Sequence, residues 1–193
     1  MLRRLYAWTL NAAGSRRAEP SLFIVAFLES SVFPIPPDIM VVPMVLANRA
    51  RAWRIAAICT LGSVLGGLAG YAIGAFLFDL LGAPILAWYG NVARFDAFAE
   101  MYNEWGAWIV FGAGVTPFPY KVITIASGAT ALDPLIFVLA SVAARGLRFF
   151  LVAALIWQFG PPIQQFIERR LGVATLVFFV LLLAGFVVLK FVI

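Results

Sequence analysis

Histidine is absent from this 193-residue chain, and cysteine occurs once, at Cys59. The first absence removes His-dependent metal sites, Ser-His triads and the histidine phosphatase mechanism; the second removes any intrachain disulfide. Charge is scarce as well. Asp, Glu, Lys and Arg make up 12% of the residues against 64% apolar ones, which excludes an ordinary soluble domain. A net charge of +5 would suggest nucleic acid in a soluble protein. Here the basic residues fall in short segments between apolar runs and read as orientation signals, so no nucleic-acid partner is expected. No residue pattern calls for a metal or a cofactor, and none is expected.

What the chain has is apolar length. Nearly uncharged runs cover 55–79, 134–159 and 171–189, each close to the roughly 20 residues a helix needs to cross about 30 Å of hydrocarbon. The expected fold class is an all-α integral membrane protein, with 1–193 as one membrane unit. The amino end, 1–20, differs: Leu2, Leu5, Trp8 and Ala12 recur at helical spacing beside Arg3, Arg4, Arg16 and Arg17. That pattern suits a retained amphipathic helix lying in the membrane interface. Residues 84–104 are too polar to span. Phe95, Phe98 and Tyr102 share one helical face, with Asp96, Glu100 and Glu104 on others. A second interfacial helix is expected there, with Trp88, Tyr89 and Trp105 at headgroup level.

Two further stretches are long enough to span but are interrupted. Residues 21–47 contain Pro34, Pro36, Pro37 and Pro43, and residues 105–132 contain Pro117 and Pro119; each proline removes a backbone donor and breaks helical continuity. If 21–47 crossed the membrane, Arg49, Arg51 and Arg54 would lie opposite the Arg-rich amino end, against the positive-inside rule. If it dips in and returns, Arg3, Arg4, Arg16, Arg17, Arg49, Arg51, Arg54, Arg169 and Arg170 share the inner side. Arg94 and Lys190 then lie outside, while Lys121, Arg145 and Arg148 stay within the membrane. The expected architecture is an inverted repeat of two re-entrant helical hairpins, 21–47 and 105–132, each followed by a transmembrane helix, 55–79 and 134–159. A C-terminal transmembrane helix, 171–189, and the interfacial helices complete it. Pro34, Pro36 and Pro37 mark one hairpin apex; Pro117 and Pro119 mark the other.

The buried charges mark the expected site, because an ionisable group at bilayer depth costs about 2.5–3.5 kcal/mol on insertion scales. Glu29 and Asp38 flank the first apex, Lys121 follows the second, and Arg145 and Arg148 lie one turn apart near the middle of 134–159. Gly146 is expected to admit another backbone between the two arginines. Pro36-Pro37-Asp38 reads as the start of a half-helix, and Thr116-Pro117 as N-cap and first residue of its counterpart. Two such N-termini facing each other would offer N–H groups and positive dipole ends to an anion. With both acids ionised, the three cations leave a positive surplus, which suits a phosphate-bearing substrate. The roles expected are proton coupling for Glu29 and Asp38, and phosphate binding for Arg145, Arg148 and Lys121. Beside this stands a structural reading, in which the acids are ion-pair partners of Arg145 and Arg148 and Lys121 snorkels outward from a shallow position. Gly62, Gly66, Gly70 and Gly74, spaced by four, read as a close-packing stripe rather than a gate. Ser30, Ser31, Thr124 and Ser127 are expected to satisfy backbone groups freed at the breaks.

At FLESSVFPIPPD (27–38), GAGVTPFPYKVITIASGA (112–129) and RGLRFFLVAAL (145–155), the chain resembles the DedA family, the bacterial branch of the VTT-domain (SNARE-associated) membrane proteins, and within it the YqaA-like members. The resemblance implies two opposed re-entrant hairpins in the bacterial cytoplasmic (inner) membrane. It also implies flipping or scrambling of lipids such as phosphatidylethanolamine or polyprenyl phosphates, dependent on the proton-motive force. It maps the family's acidic pair onto Glu29 and Asp38. The family's second hairpin usually carries an arginine three residues before its proline and another shortly after. Here Gly114 takes the first place and Lys121 approximates the second, leaving Arg145 and Arg148 as substitutes.

The leading expectation is therefore a lipid transporter whose partners are phosphate headgroups and protons, with homo-oligomerisation left open. One alternative is a proton-coupled small-ion or solute antiporter, which needs a closed aqueous path where a lipid carrier needs a lateral opening. Another is a non-transporting structural or assembly factor, which would tolerate neutral replacements at the four buried charges. An enzyme is not expected, because the chain offers no evident nucleophile–base pair.

Overall fold

Prolines precede two of the helices and a carboxylate caps a third, while Pro43, expected to break helical continuity, lies inside a helix without ending it. The computed structural model describes residues 18–32, 36–90, 92–116 and 118–160. Residues 1–17 of the expected amphipathic helix, the final crossing at 171–189, and the apex prolines Pro34 and Pro117 lie outside the described residues. Helix α1 covers Ala18–Ser31 and α2 covers Asp38–Ala47, with Pro37 as the N-cap of α2. A 3-10 turn, Arg49–Arg51, leads into α3, Ala52–Leu77, which continues through a π turn, Phe78–Gly82, into α4, Ala83–Tyr89. Gly90 then stops the helix at φ +67°, a conformation that favours a residue without Cβ. Helix α5 covers Val92–Val115 and α6 covers Tyr120–Ala129. Helix α7, Pro134–Gly160, starts behind Asp133, whose Oδ1 accepts from the Leu135 and Ile136 N–H groups at 2.8 and 3.0 Å. No strand occurs among the described residues.

Two helical stretches, Arg49–Trp88 (40 residues) and Pro134–Gly160 (27 residues), are long and apolar enough to cross a bilayer. They run antiparallel. Trp53 rings contact Phe150 and Trp157 at one end of the pair, and Tyr71 contacts Phe137 at the other. Between them Gly146 faces the Thr60 methyl, which would lie 3.9 Å from an added Cβ. Space for a side chain exists there, so Gly146 is not the close-approach site expected of it.

The glycine stripe of α3 serves two different neighbours. At Gly62 and Gly66 it receives α1: a Cβ on Gly66 would sit 2.1 Å from the Phe27 carbonyl oxygen. At Gly70 and Gly74 it receives α6, where a Cβ on Gly74 would sit 2.0 Å from the Ile125 oxygen. Close packing is thus what the stripe provides, in line with the small-residue interfaces of membrane helices.

Ion pairs and hydrogen bonds locate the ends of the broken segments. Glu19, at the start of α1, pairs with Arg54 at 2.7 Å and Arg51 at 3.8 Å, while α2 leads through Asn48 into the same region. Both ends of 18–47 therefore lie beside the N-terminal end of α3. In the second half Tyr102 Oη lies 2.9 Å from Ser127 Oγ, and Asn103 Nδ2 donates to the Thr130 carbonyl at 2.8 Å. Gly114 meanwhile packs against Tyr120 and Ala144. Helices α5 and α6 accordingly run antiparallel, with their open ends near the C-terminal end of α3, where Phe78 stacks on Phe95 at 4.4 Å. Two apolar clusters result. One joins Leu22, Val41, Val45, Ile55 and Phe149; the other joins Tyr102, Val110, Tyr120, Leu132 and Phe137.

One expected boundary moves. Helix α5 passes unbroken through Glu104–Trp105, where an interfacial helix was expected to give way to a hairpin. The inward face explains this. Phe95, Phe98, Tyr102, Gly106, Val110 and Gly114 keep one helical stripe, while Asp96, Glu100 and Glu104 remain exposed on another. The acids lower the hydropathy of the segment without interrupting its periodicity.

Gly66→Ala should lower stability by about 1–3 kcal/mol through overpacking. Gly112→Ala, where nothing lies within 4 Å of an added Cβ, should be neutral or stabilising. Thermal unfolding of the two variants in detergent tests this, and equal stability would contradict the close α1–α3 contact.

Candidate functional site

Glu29 stands two residues from the end of α1, on the turn that meets the middle of α3 and α7. There Arg145 Nη2 donates to Glu29 Oε2 at 2.7 Å, and Arg145 Nε donates to Ser63 Oγ at 2.6 Å. Ser63 and Ser30 hydroxyl oxygens are 2.7 Å apart, and Ser30 Oγ donates to the same Glu29 oxygen at 3.1 Å. The guanidinium lies between two rings, its carbon 4.7 Å from the Tyr120 centroid and 4.7 Å from that of Phe149. Tyr120 is held in turn by a hydrogen bond from its hydroxyl to Ser141. Arg145 is only 2% exposed, so α1, α3, α6 and α7 enclose it together. Ser63 and Arg145 both fall near the middle of their helices, which places this cluster midway along the α3–α7 pair.

One turn along α7, Arg148 Nη2 donates to Asp38 Oδ2 at 2.8 Å, and Nη1 donates to the Thr116 carbonyl at 2.8 Å. This second pair is more open, at 20% exposure for Arg148 and 27% for Asp38. Asp38 Oδ1 is buried and accepts no hydrogen bond from the described residues. Lys121 Nζ reaches the Val32 carbonyl at 3.4 Å, and Thr124 Oγ1 reaches the Ser30 carbonyl at 3.2 Å. The structure thus brings Glu29, Asp38, Arg145, Arg148 and Lys121 to one level of the bundle. Pro37 and Pro119 stand at the adjoining helix starts as N-caps, and Pro36 precedes the first.

Two local expectations are corrected. Thr116 does not cap α6. Its N–H bonds back to the Gly112 carbonyl at the end of α5, and α6 begins at Tyr120 behind Pro119. The hydrogen bonds between the two junctions run crosswise. The carbonyl end of α1 meets the start of α6 through Lys121 and Thr124, while Arg148 bridges Asp38 at the start of α2 to the carbonyl end of α5. Opposite dipole ends and opposite charges attract, whereas two like N-termini repel. Finally, only Ser31 and Thr124 of the four expected hydroxyl residues bond backbone carbonyls near the breaks; Ser30 and Ser127 bond other side chains. Ser63, Tyr120 and Phe149 went unrecognised as site residues. A serine within a glycine-rich helix and aromatics in apolar helices carry no excess cost that a sequence would display. Among the described residues, no three His, Cys, Asp or Glu side chains gather as a metal site requires.

The VTT domain family matches residues 33–158, from just after α1 through nearly all of α7, so Asp38, Lys121, Arg145 and Arg148 lie within the match and Glu29 precedes it. The chain belongs to the VTT-domain (DedA) family. It is 36% identical over 151 residues to an uncharacterized protein of Haemophilus influenzae, covering 78% of each chain. It is 34% identical over 168 residues to an uncharacterized protein of Histophilus somni, covering 85% of this chain and 87% of the relative. No solved structure matches. Family membership and the two long apolar helices together identify a membrane protein.

Removing one partner of an enclosed ion pair strands the other, at about 3–5 kcal/mol. Arg145→Ala should reach that range, because it also empties the space between Tyr120 and Phe149. Arg148→Ala should cost clearly less, since Asp38 is partly open to its surroundings. Unfolding in detergent distinguishes them, and equal losses would contradict the difference in enclosure.

Proposed function

We propose that this DedA-family protein is a transporter that flips or scrambles phosphate-containing lipids across the bacterial cytoplasmic membrane, in a manner linked to protons. The observation that carries the reading is the pairing of Glu29 with Arg145 and Asp38 with Arg148 midway along the α3–α7 pair. Groups this costly at membrane depth are characteristic of substrate pathways and proton relays. In this reading 18–47 and the α5–α6 segment are re-entrant hairpins entering from opposite faces. What supports that topology is the position of their open ends. Those of the first lie beside Arg51 and Arg54, and those of the second near the acid-bearing face of α5. Inverted repeats of this kind place substrate at the midplane in many secondary transporters.

The roles divide by accessibility. Arg148 and Lys121 are the groups best placed to meet a lipid phosphate, because neither is sealed in as Arg145 is and each contacts a carbonyl at a junction. Arg145 holds the surrounding elements in register. A phosphate oxygen competing for Arg148 would displace Asp38 or the Thr116 carbonyl, and a guanidinium suits such bidentate capture.

Reconstitution in vesicles with labelled lipids under an imposed pH gradient tests the proposal. Wild type should translocate phosphate-bearing lipids, and both Glu29→Gln and Arg148→Ala should lose this activity. Translocation unaffected by either change, equal movement of a neutral lipid, or ion flux without lipid movement would each overturn the reading.

A further inference from the structure

One cluster of the bundle lies apart from the central charges, at the arginine-bearing end of the α3–α7 pair. Its level in the membrane follows from helix rise. Trp53 meets Phe150 and Trp157 at one end of the pair, and Tyr71 meets Phe137 at the other. From Trp53 to Tyr71 the helix climbs about 27 Å at roughly 1.5 Å per residue. That matches the roughly 30 Å of a bilayer's hydrocarbon, so each aromatic contact stands at a membrane boundary. Ser63, which holds Arg145, is about 15 Å along the helix from Trp53. The two places are separate.

Arg49, Arg51 and Arg54 gather at the Trp53 boundary, and the acid they meet there is Glu19. It engages Arg54 at 2.7 Å and Arg51 at 3.8 Å. Arg49 is differently placed. Among the described residues its guanidinium reaches one acceptor, the Trp157 carbonyl, at a long 3.4 Å. A guanidinium carries five N–H donors, so most of them have no protein acceptor there. Its position is nonetheless fixed by close packing: a Cβ on Gly160 would lie 2.5 Å from Arg49 Nη2 and 3.1 Å from Cζ. On the membrane side, Trp53 stacks on Phe150 and tilts against Trp157, both with ring centroids 6.2 Å apart. All three rings stay exposed.

A planar cation with unmet donors thus stands beside an open aromatic wall at the edge of the hydrocarbon. A phospholipid has the matching two parts, an anion that accepts from a guanidinium fork and chains that lie on apolar rings. The ammonium of a zwitterionic headgroup would find Glu19 already taken by two arginines, so a net negative headgroup fits better. We propose that Arg49, Trp53, Phe150 and Trp157 form a binding site for an anionic glycerophospholipid of the adjoining leaflet, retained by the protein and not carried through it. The phosphate accepts from Arg49, Arg51 and Arg54 add to the attracting field, and an acyl chain lies along the three rings. Arg49 precedes α3 and touches the last turn of α7, so the bound lipid fastens these two helix ends together. The site stands whether or not the central charges move lipid.

Native mass spectrometry of the full chain tests this, with phosphatidylglycerol and phosphatidylcholine of identical chains supplied together in detergent. An Arg148→Ala background removes a phosphate contact of the central site. That protein should retain phosphatidylglycerol about tenfold in preference to phosphatidylcholine, the order that one or two arginines near a charged surface supply. Adding Arg49→Gln should abolish the preference. Adding Arg94→Gln, which removes the same charge beside Phe95 at the opposite end, should leave it intact. Gly160→Ala changes no charge but pushes the Arg49 guanidinium aside, and should weaken the preference. Equal retention of the two lipids, or a preference that survives Arg49→Gln or falls as much with Arg94→Gln, overturns the site. Should Arg49→Gln fail to fold, Gly160→Ala decides alone, and an unchanged preference overturns the proposal. A dimer that excludes lipid and separates on Arg49→Gln would give this face to a second copy and overturn it as well.

Discussion

A full charge in the middle of an apolar bundle is tolerable only when a partner of opposite sign is held against it by other elements. The Arg145 guanidinium meets that condition through α1, α3 and α6 at once, with a carboxylate, a hydroxyl and two ring faces around it. Much of the architecture follows. Helix α1 must lie close enough to α3 for Glu29 and Ser30 to reach Ser63, and Gly62 and Gly66 make that approach available. Helix α6 must present Tyr120 to the same group, and Gly70 and Gly74 admit it farther along. The stripe of small residues and the buried charge are two sides of one packing problem.

The second pair shows what a slightly looser version of the same arrangement makes possible. Arg148 spans from Asp38 to the end of α5, so it ties one half of the chain to the other without being sealed in. Lys121 does the corresponding task at the end of α1. In each half, the carbonyl end of the first broken helix is met by a cation supplied from elsewhere, which satisfies carbonyls that a continuous helix would have used internally. Breaking a helix inside a membrane protein is thus compensated by side chains that simultaneously form the site.

The four paired charges were legible in the amino-acid sequence because each is a costly exception within an apolar run, and costly exceptions stand out against a uniform background. The breaks at Pro36-Pro37 and Pro119 were legible for the same reason. Partner choice was not. Nothing in the order of residues distinguishes Ser63 from other hydroxyls, or Tyr120 from other aromatics, until α1, α3, α6 and α7 are packed together. The start of α6 was misplaced because Thr116-Pro117 satisfies the local rules for a helix start, whereas the backbone continues α5 to that point and restarts after Pro119. The extent of α5 was obscured by Asp96, Glu100 and Glu104, whose common exposed face becomes evident only beside the opposite, buried one.

The proposed function depends on the two junctions meeting inside the membrane. Pulsed dipolar spectroscopy measures that most directly, with spin labels on Val32→Cys and Lys121→Cys in a Cys59→Ala background reconstituted in vesicles. The expected distance distribution is short and narrow, well below the roughly 30 Å thickness of the hydrocarbon core. A distribution centred at or beyond that thickness would place the junctions at opposite faces and contradict a shared charged site.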